Sequence, residues 1–225
     1  MSIITALVSR KGGVVGSDGR MFSSAVFDSN NELITPAKIE RDDFNKTFMF
    51  DSRIIGAFCG LLSFNKLTIS EHIDEILSNG LKPDYAFEEA VDILNKEISK
   101  KLKSISTDEV LFRFRSVDLL LVSRLSKKAM GIAKLRFSPS DSNIIRANKE
   151  IIIVNNNNQY CLFGDDNAQQ GAVKAFASNK APNRDIKFLN NLVIKALKTG
   201  IESAGKHPYS GELSCGGEIF RRQIK

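Results

Sequence analysis

Apolar residues along this chain fall into short runs that predict strands and into helically spaced sets that predict helices. The first two strands are predicted over 3–8 and 14–18, joined by a Lys-Gly-Gly turn at 11–13. Further strands are predicted over 21–28, 32–35, 48–50, 54–58, 117–122, 129–137, 151–154 and 160–163, with a last one within 217–224. Helices are predicted over 64–77, from Lys-Pro-Asp at 82–84 to 102, over 167–178 and over 185–204.

The strands come in runs and the helices come in pairs, rather than alternating one by one. Such an order favours antiparallel sheets with the helices segregated into layers of their own, which is an α+β arrangement. No stretch rich in Pro, Gly and Ser divides the chain, and no internal repeat is visible. We therefore predict a single domain over residues 1–225.

The composition is that of an ordinary globular protein, with 42% hydrophobic and 26% charged residues. No apolar stretch approaches the roughly 20 residues that a membrane helix needs, and the first apolar run is too short for a signal peptide. The net charge of +6 is spread along the chain, and its one dense run, at 100–103, ends a predicted helix, where cations are favoured. We expect neither a membrane nor a nucleic acid as a partner.

Three cysteines, Cys59, Cys161 and Cys215, lie far apart in the sequence and are odd in number. This favours free thiols in a reducing compartment, and we predict the cytoplasm. The cysteines lack the spacing of metal ligands, and His72 has no second ligand near it in the sequence. We therefore expect no metal and no cofactor.

Four short motifs follow one another along the chain. Residues 13–18 read Gly-Val-Val-Gly-Ser-Asp, and residues 46–60 begin with Lys-Thr-Phe and end with Ala-Phe-Cys-Gly. Residues 163–166 read Phe-Gly-Asp-Asp before a predicted helix, and residues 214–219 read Ser-Cys-Gly-Gly-Glu-Ile. In this order and spacing the motifs resemble the proteasome β-subunit superfamily of N-terminal-nucleophile (Ntn) hydrolases, which includes the peptidase subunit of the bacterial proteasome-like protease.

The resemblance spans nearly the whole chain and implies a four-layer αββα sandwich, with two antiparallel sheets between two helix layers. In the family the aspartate of the first motif follows the nucleophile by sixteen positions, and counting back from Asp18 gives Ser2. Met-Ser is a good substrate for removal of the initiator methionine, so Ser2 is the expected N-terminal nucleophile. Lys46 has the family's ungapped spacing to Gly60, whose amide is expected to bind the oxyanion, and Phe58 is expected to line the substrate side-chain pocket.

The chemistry that these residues imply starts from the α-amine of Ser2. A serine hydroxyl is a poor nucleophile until a base removes its proton, and an N-terminal serine carries its own base. The unperturbed pKa of an α-amine is about 7.7–8.0, and a nearby lysine ammonium lowers it further by like-charge repulsion. Asp18 would hold that lysine in place, and the Gly60 amide would stabilise the tetrahedral intermediate.

Several positions depart from the family pattern. The nucleophile is serine where the family usually has threonine, and Asp165 stands where the family has the serine of a Gly-Ser-Gly turn. If the family's second aspartate lies just before Tyr-Ser-Gly, His207 holds its place. The segment between Asp18 and Lys46 is longer than usual, which makes Lys38 a rival for the catalytic lysine.

The choice between the two lysines gives a geometric expectation. Residues 47–50 after Lys46 alternate as a strand, whereas Lys38 precedes a Glu-Arg-Asp-Asp stretch at 40–43 that is typical of a charged loop. We expect the Lys46 ammonium to lie within about 4 Å of Asp18 and to point toward Ser2. We expect Lys38 to be exposed and elsewhere.

Two main functions are consistent with this resemblance. The first is a proteasome-like peptidase subunit that cleaves peptide or protein substrates inside a ring or barrel of identical subunits. The alternative is a catalytically inactive structural or assembly subunit with the same fold. A third, more distant hypothesis is an N-terminal-serine amidohydrolase acting on a small amide. The resemblance leaves the identity of any unfolding ATPase open.

Overall fold

Two antiparallel sheets lie at the centre of the computed structural model, which describes residues 2–23, 25–30, 32–64, 66–104, 116–139, 145–177 and 184–225. The four-stranded sheet has the spatial order β14 (Gln159–Gly164), β1 (Ile3–Ser9), β2 (Gly12–Asp18) and β15 (Ile219–Ile224). The five-stranded sheet has the order β13 (Ile145–Val154), β12 (Ala129–Pro139), β11 (Val117–Ser126), β8 (Ile54–Gly60) and β7 (Thr47–Phe50).

Four helices cover the outer faces of these sheets in the described residues. They are α1 (Ile69–Gly80), α2 (Phe87–Ser104), α3 (Asp166–Ala177) and α4 (Ile186–Ser203). Each helix has one apolar face, as its sequence spacing predicts. None of these helices is long and apolar enough to cross a membrane.

Three apolar clusters lie between the four layers, which are two helix layers and two sheets. One cluster joins α1 and α2 to the five-stranded sheet, a second fills the space between the two sheets, and a third joins the four-stranded sheet to α3 and α4. Burial of these side chains holds the layers together, because apolar surface removed from water stabilises by about 25 cal/mol per Å². The predicted α+β, four-layer αββα sandwich is confirmed.

The predicted helix start at Phe64 is wrong. Residues around it form a short hairpin of β9 (Ser63–Phe64) and β10 (Leu67–Thr68), and helix α1 begins five residues later, at Ile69. Thr68 and Glu71 form a capping box, in which each side chain bonds the other residue's backbone amide. This cap fixes the start of the helix more strongly than the apolar spacing that suggested an earlier one.

The segment between β2 and β7 folds into two small antiparallel pairs, and we call residues 21–45 the arm. Its pairs are β3 (Met21–Phe22) with β6 (Ile39–Arg41), and β4 (Val26–Phe27) with β5 (Leu33–Thr35). Strand β6 lies partly within the stretch predicted as a charged loop, so that prediction is wrong at residues 40 and 41. Residues 24, 31, 65 and 178, which fall within predicted elements or turns, lie outside the described residues, as does Met1.

Candidate active site

The end of strand β2 and the start of strand β7 bring a lysine and an aspartate together between the sheets. Lys46 Nζ lies 3.0 Å from Asp18 Oδ1, and both side chains are fully buried. Lys46 Nζ also donates to the Arg20 carbonyl at 2.6 Å. Lys38 is exposed, and its amide donates to the Ser23 hydroxyl in the arm. The expected ion pair is therefore at Lys46, while its catalytic role stays a prediction.

The Asp18 carboxylate has a donor for each of its oxygens. Oδ1 accepts from the Ile3 amide at 3.0 Å as well as from Lys46, and Oδ2 accepts from the Gly216 amide at 3.1 Å. A buried ion pair is stable only when hydrogen bonds satisfy its remaining lone pairs in this way. Because the Ile3 amide belongs to the Ser2–Ile3 peptide, Lys46 and the backbone of the nucleophile candidate meet at one carboxylate oxygen.

Ser2 itself is held through its backbone. Ser2 is only 4% exposed, and its carbonyl accepts a hydrogen bond from the Asp165 amide at 2.8 Å. Gly164 has a φ of +123°, and a Cβ at that position would lie 1.8 Å from the Ser2 carbonyl oxygen. Only glycine allows this approach, so the third sequence motif serves to seat Ser2 at the start of strand β1.

Asp165 and Ser214 form a second buried polar group beside Ser2. Ser214 Oγ donates to Asp165 Oδ2 at 2.9 Å, and Asp165 Oδ1 accepts from the amides of Ala168 at 2.9 Å and Gly205 at 3.3 Å. The sequence singled out Asp165 as a departure but missed its bond to Ser214. The signal was present in the Ser-x-Gly-Gly motif, whose first residue is Ser214.

Gly60 ends strand β8 in a conformation that no other residue adopts easily. Its φ is +92°, and a Cβ would lie 1.9 Å from the Ser116 carbonyl oxygen. The Leu61 amide donates to Ser116 on one edge of the strand, and the Phe58 amide donates to the Lys46 carbonyl on the other. Because the amides of alternate residues point to the same edge, the Gly60 N–H is on the edge that carries Lys46.

Phe58 lies deeper than a pocket-lining residue. Its side chain is fully buried in the cluster beneath α1 and α2, and its ring meets the Phe44 ring edge-on at a centroid distance of 6.5 Å. Contact with a substrate would therefore require this ring to be uncovered, and its role in substrate binding stays a prediction. The ring supports the strand that carries Gly60.

His207 contacts the arm. Its ring stacks on Phe22 with centroids 4.3 Å apart and meets Tyr209 edge-on at 6.1 Å. The neighbouring Tyr209 carbonyl accepts a hydrogen bond from the Ala37 amide. The loop of residues 205–213 thus packs against the arm.

Arg20 is a contributor that the sequence did not reveal. Its carbonyl accepts from Lys46, while its guanidinium donates to both carboxylate oxygens of Asp42, at 2.7 and 3.1 Å, and to the Leu213 carbonyl at 3.1 Å. The Asp42 hydrogen bond raises the pKa of Arg20 further above its ordinary value. Arg20 therefore ties the arm and the 205–213 loop to the buried ion pair.

The thiols near the site are poor candidates for a nucleophile. Burial raises the pKa of Cys59 well above its ordinary value, with a smaller contribution from Asp118. Burial likewise raises the pKa of Cys215 to about 12 and that of Cys161 to about 11. Since the thiolate is the reactive form, these protonated thiols are poor nucleophiles near neutral pH. Within the described residues, no three His, Cys, Asp or Glu side chains are grouped as metal ligands.

Comparison with known proteins identifies the fold. No protein-family model and no curated protein matches the chain. Eukaryotic HslV from Trypanosoma brucei has 12% sequence identity and a TM-score of 0.52, with 99% of each chain covered. The helical assembly of the Anbu complex from Pseudomonas aeruginosa has 13% identity and a TM-score of 0.62, with 98% of this chain and 80% of that chain covered. Anbu, an ancestral beta-subunit, from Yersinia bercovieri has 11% identity and a TM-score of 0.55, with 98% and 81% covered. The chain therefore has the proteasome-like, Ntn-hydrolase type of fold that it shares with HslV and Anbu.

Proposed function

We propose that this proteasome-like subunit is a peptidase that hydrolyses peptide bonds with Ser2 as its N-terminal nucleophile, after Met1 has been removed. The observation that carries the proposal is the buried Lys46–Asp18 pair, whose shared oxygen also binds the Ser2–Ile3 peptide. A fully buried lysine is rare unless it is paired. In the proposed site, Lys46 would give the α-amine of Ser2 a nearby cation.

In the proposed reaction, the neutral α-amine takes the proton of the Ser2 hydroxyl as Oγ attacks the substrate carbonyl carbon. The Gly60 N–H stabilises the resulting oxyanion, for which one such donor is worth about 2.7–4 kcal/mol. The ammonium then gives its proton to the leaving amine as the peptide C–N bond breaks, which leaves an ester on Ser2. A water molecule, deprotonated by the same amine, hydrolyses that ester and regenerates the hydroxyl.

The experiment that tests this function combines two measurements on one purified sample. Intact mass should show a chain that lacks one methionine, and the same sample should hydrolyse fluorogenic peptides near neutral pH. A chain that retains Met1 and cleaves no peptide would favour the inactive structural or assembly subunit. A chain that lacks Met1 and cleaves only small amides would instead favour the small-amide amidohydrolase.

We also propose that the chain forms a homo-oligomer, in a ring or barrel. The Pseudomonas aeruginosa Anbu neighbour is described as a helical assembly, and it supports self-association of this fold. Light scattering at micromolar concentration should give a mass of several subunits. A monomer under these conditions would contradict the proposal. The cytoplasm stays the proposed compartment, since all three cysteines are free and buried.

A further inference from the structure

Asp165 is a buried carboxylate that the proposed mechanism does not use, although it lies directly beside Ser2. We propose that Asp165 is a positioning residue: it seats the Ser2 backbone and places a negative charge near the α-amine that opposes the positive charge of Lys46. This inference rests on the proposed function only in that Ser2 must be the N-terminus.

The contacts of Asp165 join four parts of the molecule at the nucleophile candidate. Its amide holds the Ser2 carbonyl at 2.8 Å, and its carboxylate accepts from the amides of Ala168 in α3 and Gly205 after α4. The remaining partner is the Ser214 hydroxyl, at 2.9 Å, in the segment that leads to β15. The residue that carries this carboxylate is therefore linked directly to Ser2 by one backbone hydrogen bond.

Capping of helix α3 does not account for all of these contacts. An N-cap aspartate needs only the bond from its side chain to an amide in the first turn, here Ala168. The second oxygen, Oδ2, instead accepts a hydrogen bond from the Ser214 hydroxyl, and Asp165 is only 5% exposed. The neighbouring Asp166 lies at the same helix N-terminus but is exposed, so the helix end alone does not require a buried carboxylate.

The carboxylate is close enough to the α-amine for its charge to act there. With 2.8 Å between the Asp165 amide nitrogen and the Ser2 carbonyl oxygen, covalent geometry limits the carboxylate-to-amine distance to about 11 Å. At about 10 Å and an effective dielectric constant of about 25–50, between the values for protein and water, a single charge shifts a pKa by roughly 0.5–1 unit.

Other groups around Ser2 contribute to the same balance of charge. Lys46 pairs with Asp18 at the end of β2, and the Arg20 guanidinium is close enough to interact with Asp18 electrostatically. Asp165 and Ser214 lie on the α3 side. The Cys215 thiol next to Ser214 stays neutral, because burial raises its pKa to about 12. Asp18 is neutralised directly by Lys46, whereas Asp165 has only uncharged donors among its hydrogen-bond partners described above, so its charge is not compensated by a salt bridge.

The test uses two probes of the α-amine in the full-length protein, in Asp165→Asn and in Ser214→Ala. The first is the pH profile of kcat/KM for a fluorogenic peptide, and the second is an NMR titration of the amine after ¹³C reductive methylation. A carboxylate favours the charged ammonium and raises the amine pKa. Removing its charge should therefore move the acidic limb and the NMR midpoint to lower pH, by about 0.5–1 unit in Asp165→Asn.

The controls separate charge from structure. Ser214→Ala removes the hydrogen bond from the Ser214 hydroxyl to Asp165 Oδ2 without changing a charge. It should therefore lower kcat without moving the NMR midpoint of the amine. Asp166→Asn removes a neighbouring but exposed charge at the same helix N-terminus and should leave both kcat and the midpoint unchanged. An Asp165→Asn midpoint equal to that of wild type, or an equal shift in Asp166→Asn, would overturn the proposal.

The two readouts also distinguish this inference from the peptidase proposal. The NMR titration needs a free α-amine but no turnover. A midpoint shift in Asp165→Asn without any peptide hydrolysis would support the positioning role and contradict the peptidase. A chain that retains Met1 has no Ser2 amine, and that result would overturn both.

Discussion

Replacing Ser2 with alanine is expected to lower kcat/KM for peptide hydrolysis at least about 10³-fold, because it removes the attacking oxygen. The fold should be unaffected, since the contacts that hold residue 2 use its carbonyl and the following amide. Both backbone groups are unchanged in Ser2→Ala, and alanine also permits removal of the initiator methionine. The measurements are peptide hydrolysis and thermal unfolding, with intact mass to show the same N-terminus as wild type.

Two variants serve as controls for this prediction. Ser17→Ala makes the same chemical change in a fully buried residue next to Asp18. The Ser17 hydroxyl has no hydrogen-bond partner in the described structure. This variant should keep wild-type activity. Ser2→Thr keeps a hydroxyl at the same position and should retain hydrolysis. If Ser2→Ala hydrolysed peptides at the wild-type rate, another group would have to be the nucleophile.

Replacing Lys46 with methionine is expected to cost both activity and stability. It leaves the Asp18 carboxylate buried without its cation, and breaking a buried pair in this way costs about 3–5 kcal/mol in the free energy of unfolding. In the proposed mechanism the α-amine would also lose a neighbouring positive charge, so kcat/KM should fall by about 10²-fold or more. Denaturant unfolding and peptide hydrolysis measure the two effects separately.

Lys38→Met is the matched control, because it removes the same charge from the exposed arm. Its free energy of unfolding should stay within about 0.5 kcal/mol of wild type, with activity retained. In a double-mutant cycle, Asp18→Asn with Lys46→Met should destabilise by less than the sum of the single variants, since the lone buried charge is gone. Strict additivity, or a Lys38→Met variant that is inactive, would contradict the assignment of Lys46.

The choice of Lys46 over Lys38 shows what sequence spacing can establish. Between Lys46 and Gly60 the chain forms one hairpin, so its register fixes where the lysine lies relative to the glycine. Amphipathic periodicity likewise located α2 and α4 within a few residues, because each has one continuous apolar face.

Contacts between distant segments could not be predicted in the same way. The Asp165–Ser214 bond joins residues 49 positions apart, and Arg20 reaches the Leu213 carbonyl 193 positions away. No local pattern records such a pairing. The same applies to β6, where charged residues 40 and 41 suggest a loop but lie in an exposed strand that pairs with β3. The motif around His207 likewise gives no sign that its ring packs on the arm.

The closure of the four-stranded sheet has a consequence for how the protein is made. Asp18 accepts a hydrogen bond from the Gly216 amide, 198 positions later, and β2 lies between β1 and β15. Contacts of such high sequence separation form only after the intervening chain is available, and they slow folding. On the ribosome, where synthesis proceeds from the N-terminus at about 5–20 residues per second, the first hairpin emerges long before its last partner strand. The Lys46–Asp18 pair would therefore reach its final surroundings only after β15 has left the exit tunnel, so the proposed hydrolytic centre would not be assembled on the nascent chain.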